Sequence, residues 1–134
     1  MVLEVGNRAS TQDIDASFEK NAPAIRDAVL SIARHEGLRD DWLNDAAKGF
    51  LYTQPPVTLW KQYASLNVYI PSLEYLLAMK LVAGRPRDID DARAIVKKVG
   101  ISTSQEVLNL LTRYVPQNRI DVRVQYLVEE LFEA

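Results

Sequence analysis

The sequence predicts an α+β fold, and two observations carry the prediction. Strand signals fall before residue 71, at Asp13-Ile14-Asp15, Val57 to Trp60 and Ser65 to Ile70. From Leu73 onward apolar residues recur at helical spacing almost without a break. The expected architecture is a truncated mixed sheet with helices packed on it in residues 1–70, joined to a helical C-terminal part in residues 71–134 of the same domain. The chain has 134 residues, 48% hydrophobic and 25% charged, and a formal net charge of -2. That length suits one domain with its own core, and the charge offers no broad phosphate-binding surface. The absence of cysteine excludes disulfide and thiolate chemistry. No apolar run approaches the roughly 20 residues of a membrane span. No signal peptide is predicted, so a cytoplasmic location is expected.

The stretch from Gly6 to Phe18 holds the chemistry-bearing candidates. In an extended strand side chains two apart share a face, so Asp13 and Asp15 present two carboxylates side by side while Ile14 turns inward. Adjacent carboxylates repel unless a cation lies between them, and hard oxygen donors suit a divalent ion, magnesium first. The tripeptide alone also fits an exposed edge strand with solvated acids. Upstream, Met1 to Val5 reads as the last turn of a helix or as a strand stub ended by Gly6-Asn7.

Helix signals follow. Asn21 can cap a helix with Pro23 in its first turn, and Ile25, Val29, Ile32 and Ala33 carry it to Gly37. His35 in its last turn is the only histidine and suits a surface position near the helix C-terminus. Asp41-Trp42-Leu43-Asn44-Asp45-Ala46-Ala47 reads as a short helix capped by Asp40 or Asp41, with Trp42 inward. Pro55-Pro56 precedes a hairpin whose strands are joined by Lys61 to Ala64. Pro71 and Ser72 open the clearest helix, with Leu73, Leu76, Leu77 and Leu81 on one stripe. Lys80 starts at that stripe and either snorkels or reaches a cleft. Asp88-Ile89-Asp90-Asp91 precedes a helix over 92–99, where an acid at the cap and another three residues later suit capping and the helix dipole, and Asp90 reads as no more than that. Thr103 to Glu106 is a capping box for a helix to Tyr114, and Arg119 to Phe132 is a last amphipathic helix packed on it. Arg113, Arg119 and Arg123 read as solvated.

Arg8-x-Ser10-Thr11-x-Asp13-Ile14-Asp15 resembles the signature of the polymerase-beta-type nucleotidyltransferase superfamily. Three further stretches are similar to a bacterial branch related to abortive-infection and toxin-antitoxin nucleotidyltransferases. They are Asp41-Trp42-Leu43-Asn44-Asp45, then Pro71-x-x-Glu74-Tyr75-Leu76-Leu77-Ala78-Met79-Lys80-Leu81-x-Ala83-x-Arg85, then Asp88-Ile89-Asp90-Asp91. The resemblance spans Gly6 to about Val99. It implies Mg²⁺-dependent transfer of a nucleoside monophosphate from a nucleoside triphosphate to tRNA, protein or a small molecule. Asp13 and Asp15 would hold the metal. Arg8, Ser10 or Thr11, Lys80 and Arg85 would meet the phosphates, supported by Asn44, Asp45, Asp88 and Asp91.

Two departures point to a rival reading. The family's upstream Gly-Gly or Gly-Ser pair has no counterpart here, and Leu66-Asn67-Val68-Tyr69 lacks the third strand carboxylate. Asp45 or Glu4 would have to take that role. The rival is a catalytically degenerate binding or regulatory module. A shortened first unit leaves an edge strand, so a homodimer that covers it is expected.

Overall fold

The computed structural model describes residues 14–45 and 55–133. It bears out the α+β expectation: helices dominate, and the strands lie in two separate two-stranded sheets, one parallel and one antiparallel. The chain resolves into two compact units, Met1–Leu51 and Tyr52–Ala134. The hairpin therefore belongs with the C-terminal helices rather than with the N-terminal strands.

The first unit contains a β-α-β arrangement. Strand β1 (Ile14–Asp15) leads to helix α1 (Ala22–Glu36) and returns as strand β2 (Leu43–Asn44). The strands run parallel, with Ile14 opposite Leu43 and Asp15 opposite Asn44. Parallel neighbours need a crossover of a dozen or more residues, and α1 supplies it. Pro23 lies in the first turn of α1, where its missing N–H costs nothing. Asn21 occupies the cap position in a left-handed conformation, φ 55°, and its side chain makes no capping bond, unlike the expected role. Gly37, at φ 67°, closes the helix by donating its N–H to the Ala33 carbonyl. Phe18, Val29 and Ala33 form the buried apolar contacts.

The segment 41–45 differs from the expected short helix: it is a turn followed by β2, while Ala46 and Ala47 lie outside the described residues. The reason is non-local. Ile14 donates its N–H to Trp42 O at 2.7 Å and Ala16 to Asn44 O at 2.9 Å, ladder bonds that a helix here would forfeit. Trp42 is half-buried and donates its indole N–H to Val29 O at 3.0 Å, fastening β2 to α1.

The second unit opens with the hairpin β3 (Val57–Tyr63) and β4 (Leu66–Pro71), with an irregularity between Leu59 and Lys61. Strand β3 runs on to Tyr63, past the expected end at Trp60, β4 is displaced by one residue from the expected Ser65 to Ile70, and Ala64-Ser65 alone makes the turn. Helix α2 (Leu73–Ala83) follows after one residue, with Pro71 ending β4 rather than opening the helix. Ser72 caps it, its Oγ accepting the Tyr75 N–H at 3.2 Å.

Three further helices follow: α3 (Pro86–Val99), α4 (Ser104–Tyr114) and α5 (Val122–Glu130). A short 3₁₀ turn (Gln117–Arg119) separates α4 from α5, so the last helix starts at Val122, capped by Asp121, and not at Arg119. Helix α2 packs on all three of the others. That explains why Tyr75, Leu76, Leu77, Ala78 and Leu81 are all buried: a helix apolar around its circumference needs neighbours on several sides. Ile95, Val107, Leu110, Leu111, Val124 and Val128 close around it. The Tyr75 and Tyr114 rings meet edge-on, centroids 5.2 Å apart. No described helix is long and apolar enough to cross a membrane.

Leu77, with no exposed surface, sits at the centre of this packing. Leu77→Ala is expected to cost about 2–5 kcal/mol in urea unfolding. Val122→Ala, at a position 65% exposed, should stay within about 0.5 kcal/mol of wild type.

Candidate functional site

The first unit brings two of the candidates together. Asp15 and Asn44 are the last residues of β1 and β2 and lie opposite each other in register. Both thus stand at the carboxyl edge of a parallel strand pair, where ligands bind in open α/β sheets. Arg8, Ser10, Thr11, Asp13 and Glu4 lie outside the described residues. By donor chemistry Asp13 and Asp15 fit a hard divalent ion, since carboxylate oxygens are what magnesium takes. Among the described residues no cluster of three histidines, cysteines or acids could hold a metal.

Asp45 joins the start of α1 and the chain after β1 through its two carboxylate oxygens. Its Oδ1 accepts the Phe18 backbone N–H at 2.7 Å and its Oδ2 lies 3.5 Å from Arg26 Nη2. The carboxylate after β2 thereby secures the chain leaving β1, which holds the carboxyl edges of both strands level. Asn44 donates from its side-chain amide to the Asp41 carbonyl at 3.3 Å, closing the turn into β2. A cleft of about 250 Å³ lies beside these groups, lined by Phe18, Arg26, Val29, Leu30, Leu43 and Asp45 among others.

The second unit holds a four-charge cluster at the corner between α2 and α3. Lys80 Nζ lies 2.9 Å from Asp91 Oδ2 and 3.4 Å from Asp88 Oδ1. Arg85 grips the same Asp88: its Nε is 2.7 Å and its backbone N 3.1 Å from Oδ2, and Nη2 is 3.2 Å from Oδ1. Asp88 and Asp91 are three residues apart on α3 and so share a face.

Asp88 does not cap a helix starting at Ala92. Helix α3 starts at Pro86, whose fixed φ suits the first turn, and Asp88 is its third residue. There it accepts the N–H of Arg85, the capping residue, from inside the helix. Asp90 remains exposed, with Arg93 Nη1 3.5 Å away.

Asp88 has no exposed surface. Burial alone pushes its carboxyl pKa up, but hydrogen bonds from the Arg85 side chain and backbone, with the charges of Lys80 and Arg85, pull harder and leave it below the ordinary value. Lys80 keeps 19% of its side chain exposed. Two carboxylates hold its ammonium, at 2.9 Å and 3.4 Å. Arg85 is more open, 57% exposed.

Some long-range contacts were invisible in the sequence. Arg123, expected to be solvated, donates from Nη2 to the Val82 carbonyl at 2.8 Å, across 41 residues. No local signal marks that pairing. His35 is exposed as expected, its side chain 86% accessible beside Glu36.

Comparison with known proteins adds no relative: no family model matches the chain. No curated protein and no solved structure matches it significantly.

The cluster sets an acid limit on stability. A carboxyl held below the ordinary aspartate value of 3.8 contributes fully above that pH, and the contribution drains away as pH falls through the folded pKa. Urea unfolding from pH 7 to pH 2 should therefore show an acid decline that Asp88→Asn flattens. At pH 7, Lys80→Met should lose about 3–5 kcal/mol, because it leaves buried carboxylates short of a cation.

Proposed function

We propose that this chain is a nucleotidyltransferase-like protein that transfers a nucleoside monophosphate from a nucleoside triphosphate to a hydroxyl-bearing acceptor: tRNA, protein or a small molecule. Asp13 and Asp15 would hold magnesium, which neutralises charge on the phosphates. Arg8, Ser10 or Thr11, Lys80 and Arg85 would contact those phosphates. The acceptor hydroxyl oxygen attacks the α-phosphorus, the bond to the β-phosphate oxygen breaks, and pyrophosphate leaves as the hydroxyl proton passes to solvent. One observation supports the reading best: Asp15 ends β1 beside Asn44 at the carboxyl edge of a parallel pair. That the acids of the first unit and the cations of the second act on one nucleotide rests on the order of the motifs in the sequence. A cytoplasmic location belongs to the same proposal.

A second reading has its own support. Lys80 is committed to both Asp88 and Asp91, and Asp45 to Phe18 and Arg26. A binding or regulatory module of toxin-antitoxin type, without transfer, needs no freer groups than these.

Melting curves separate the two. Wild type and an Asp13→Asn/Asp15→Asn double variant are heated with each nucleoside triphosphate, with and without magnesium. Transfer chemistry predicts that one triphosphate stabilises only the wild type and only with magnesium, by about 2.7 kcal/mol at 100 times its dissociation constant. No shift in either protein favours the binding module.

The homodimer remains part of the proposal, and the hairpin offers a surface for it. Val57, Leu59, Trp60, Tyr63, Leu66, Tyr69 and Ile70 are each 38% to 59% exposed. Leu59 pairs with Tyr69 on one face of the ribbon, and Tyr63 pairs with Leu66 on the other, the face that also carries Ile70, so a second copy would cover one face and less than the ~800 Å² per partner of a standard interface. The only charge from Val57 to Pro71 is Lys61, whose Nζ lies 5.4 Å over the Trp60 ring of its own chain. A charged partner finds little to pair with there, whereas a second copy brings a matching uncharged face. Sedimentation should give a dimer that Trp60→Ser/Tyr69→Ser converts to monomer. A monodisperse wild-type monomer would refute it.

A further inference from the structure

The turn between α2 and α3 is held from outside by α5. Val82 belongs to the last turn of α2, where carbonyls lack intrahelical partners, and Arg123 Nη2 supplies one at 2.8 Å. The cation also opposes the negative end of the helix dipole. Next comes Gly84, at φ 67°, in the left-handed region. A Cβ there would collide with Nη1 of Arg123, pass 3.3 Å from its Cζ and lie 3.1 Å from Leu127 Cδ1. Gly84 is thus required by its backbone, while a side chain there would displace the guanidinium laid against it. Immediately after it, Arg85 binds Asp88 through its backbone N–H and its side chain. Lys80, whose carbonyl accepts the Gly84 N–H at 2.9 Å, completes the corner.

We infer that Arg123 is a positioning residue: by fixing Val82 and Gly84 it sets the spacing and direction of the Lys80 and Arg85 cations, so α5 is part of the machinery that presents them to a polyanionic phosphate chain. The inference rests on the reading that these two cations meet phosphate. Leu127 and the apolar face of α5 hold the helix in place; Arg123 adds the link to the turn. Nothing else on α5 is seen to bond to an α2 carbonyl among the described residues.

Two variants test it. Arg123→Met keeps the stem and removes every donor, and Arg123→Lys restores the charge with a single nitrogen. Amide exchange is followed at Gly84 and Arg85, with Leu77 and Leu110 as reporters of the core. Affinity is measured for tripolyphosphate with magnesium, a probe with no base. Arg123→Met should speed exchange about tenfold at Gly84 and Arg85, the equivalent of one hydrogen bond, and leave the core unchanged. It should also weaken probe binding by about tenfold, partly recovered in Arg123→Lys.

Unchanged exchange at the turn, or binding that weakens only in step with core exchange, overturns the inference. If Arg123→Met does not fold, Arg123→Lys is judged on the same two readouts. If the wild type does not bind the probe, the phosphate reading fails, and Arg123's role at the turn stands or falls on exchange alone.

Discussion

A carboxylate with no exposed surface must be satisfied from several directions at once, and the corner between α2 and α3 is organised around that demand at Asp88. Arg85 reaches it through the chain itself, one helical turn before, and Lys80 reaches it from the preceding helix. Breaking such a pair by removing one partner is far more damaging than never having built it, since the survivor stays buried and charged. The cluster therefore fixes the register of α2 against α3 in a way that apolar packing, indifferent to small slides, does not. It also limits what Lys80 can do, because any anion that approaches the ammonium competes with two carboxylates already at hand.

How much could be read beforehand depended on how local each signal was. Ser72, Thr103 and the glycines after α1 and α2 act within a turn of themselves, and the helices they bound could be read from the chain with small errors at the ends. Asp88 illustrates the failure. An acid ahead of Ala92 looks like a cap, but Pro86 pre-sets the helical φ two residues earlier and turns the acid into an interior group. The Asp-Trp-Leu-Asn-Asp stretch failed more completely, because its pairing partner lies some thirty residues upstream and a two-residue strand has no periodicity to detect. The α+β class itself was legible from where strand and helix signals fall.

The candidate site was legible only in part, for the same reason. Lys80, Arg85, Asp88 and Asp91 lie within twelve residues, so a helix corner was enough to bring them together. Asp45 could be named as a supporting residue from the sequence, but its bond to the backbone after β1 could not, because spacing does not reveal a main-chain partner 27 residues away. Arg123 could not be found at all, since its target is a main-chain carbonyl and carries no side-chain signature.

The connection between β4 and α2 is a single residue. Ser72 donates its N–H to Pro56 at 2.9 Å and accepts from Tyr75 through its hydroxyl, so it is tied to the hairpin on one side and to the helix on the other. There is no slack in that joint. One side chain and one main-chain N–H thus serve both elements, and replacing Ser72 would loosen the start of the helix that carries Lys80 along with the base of the hairpin.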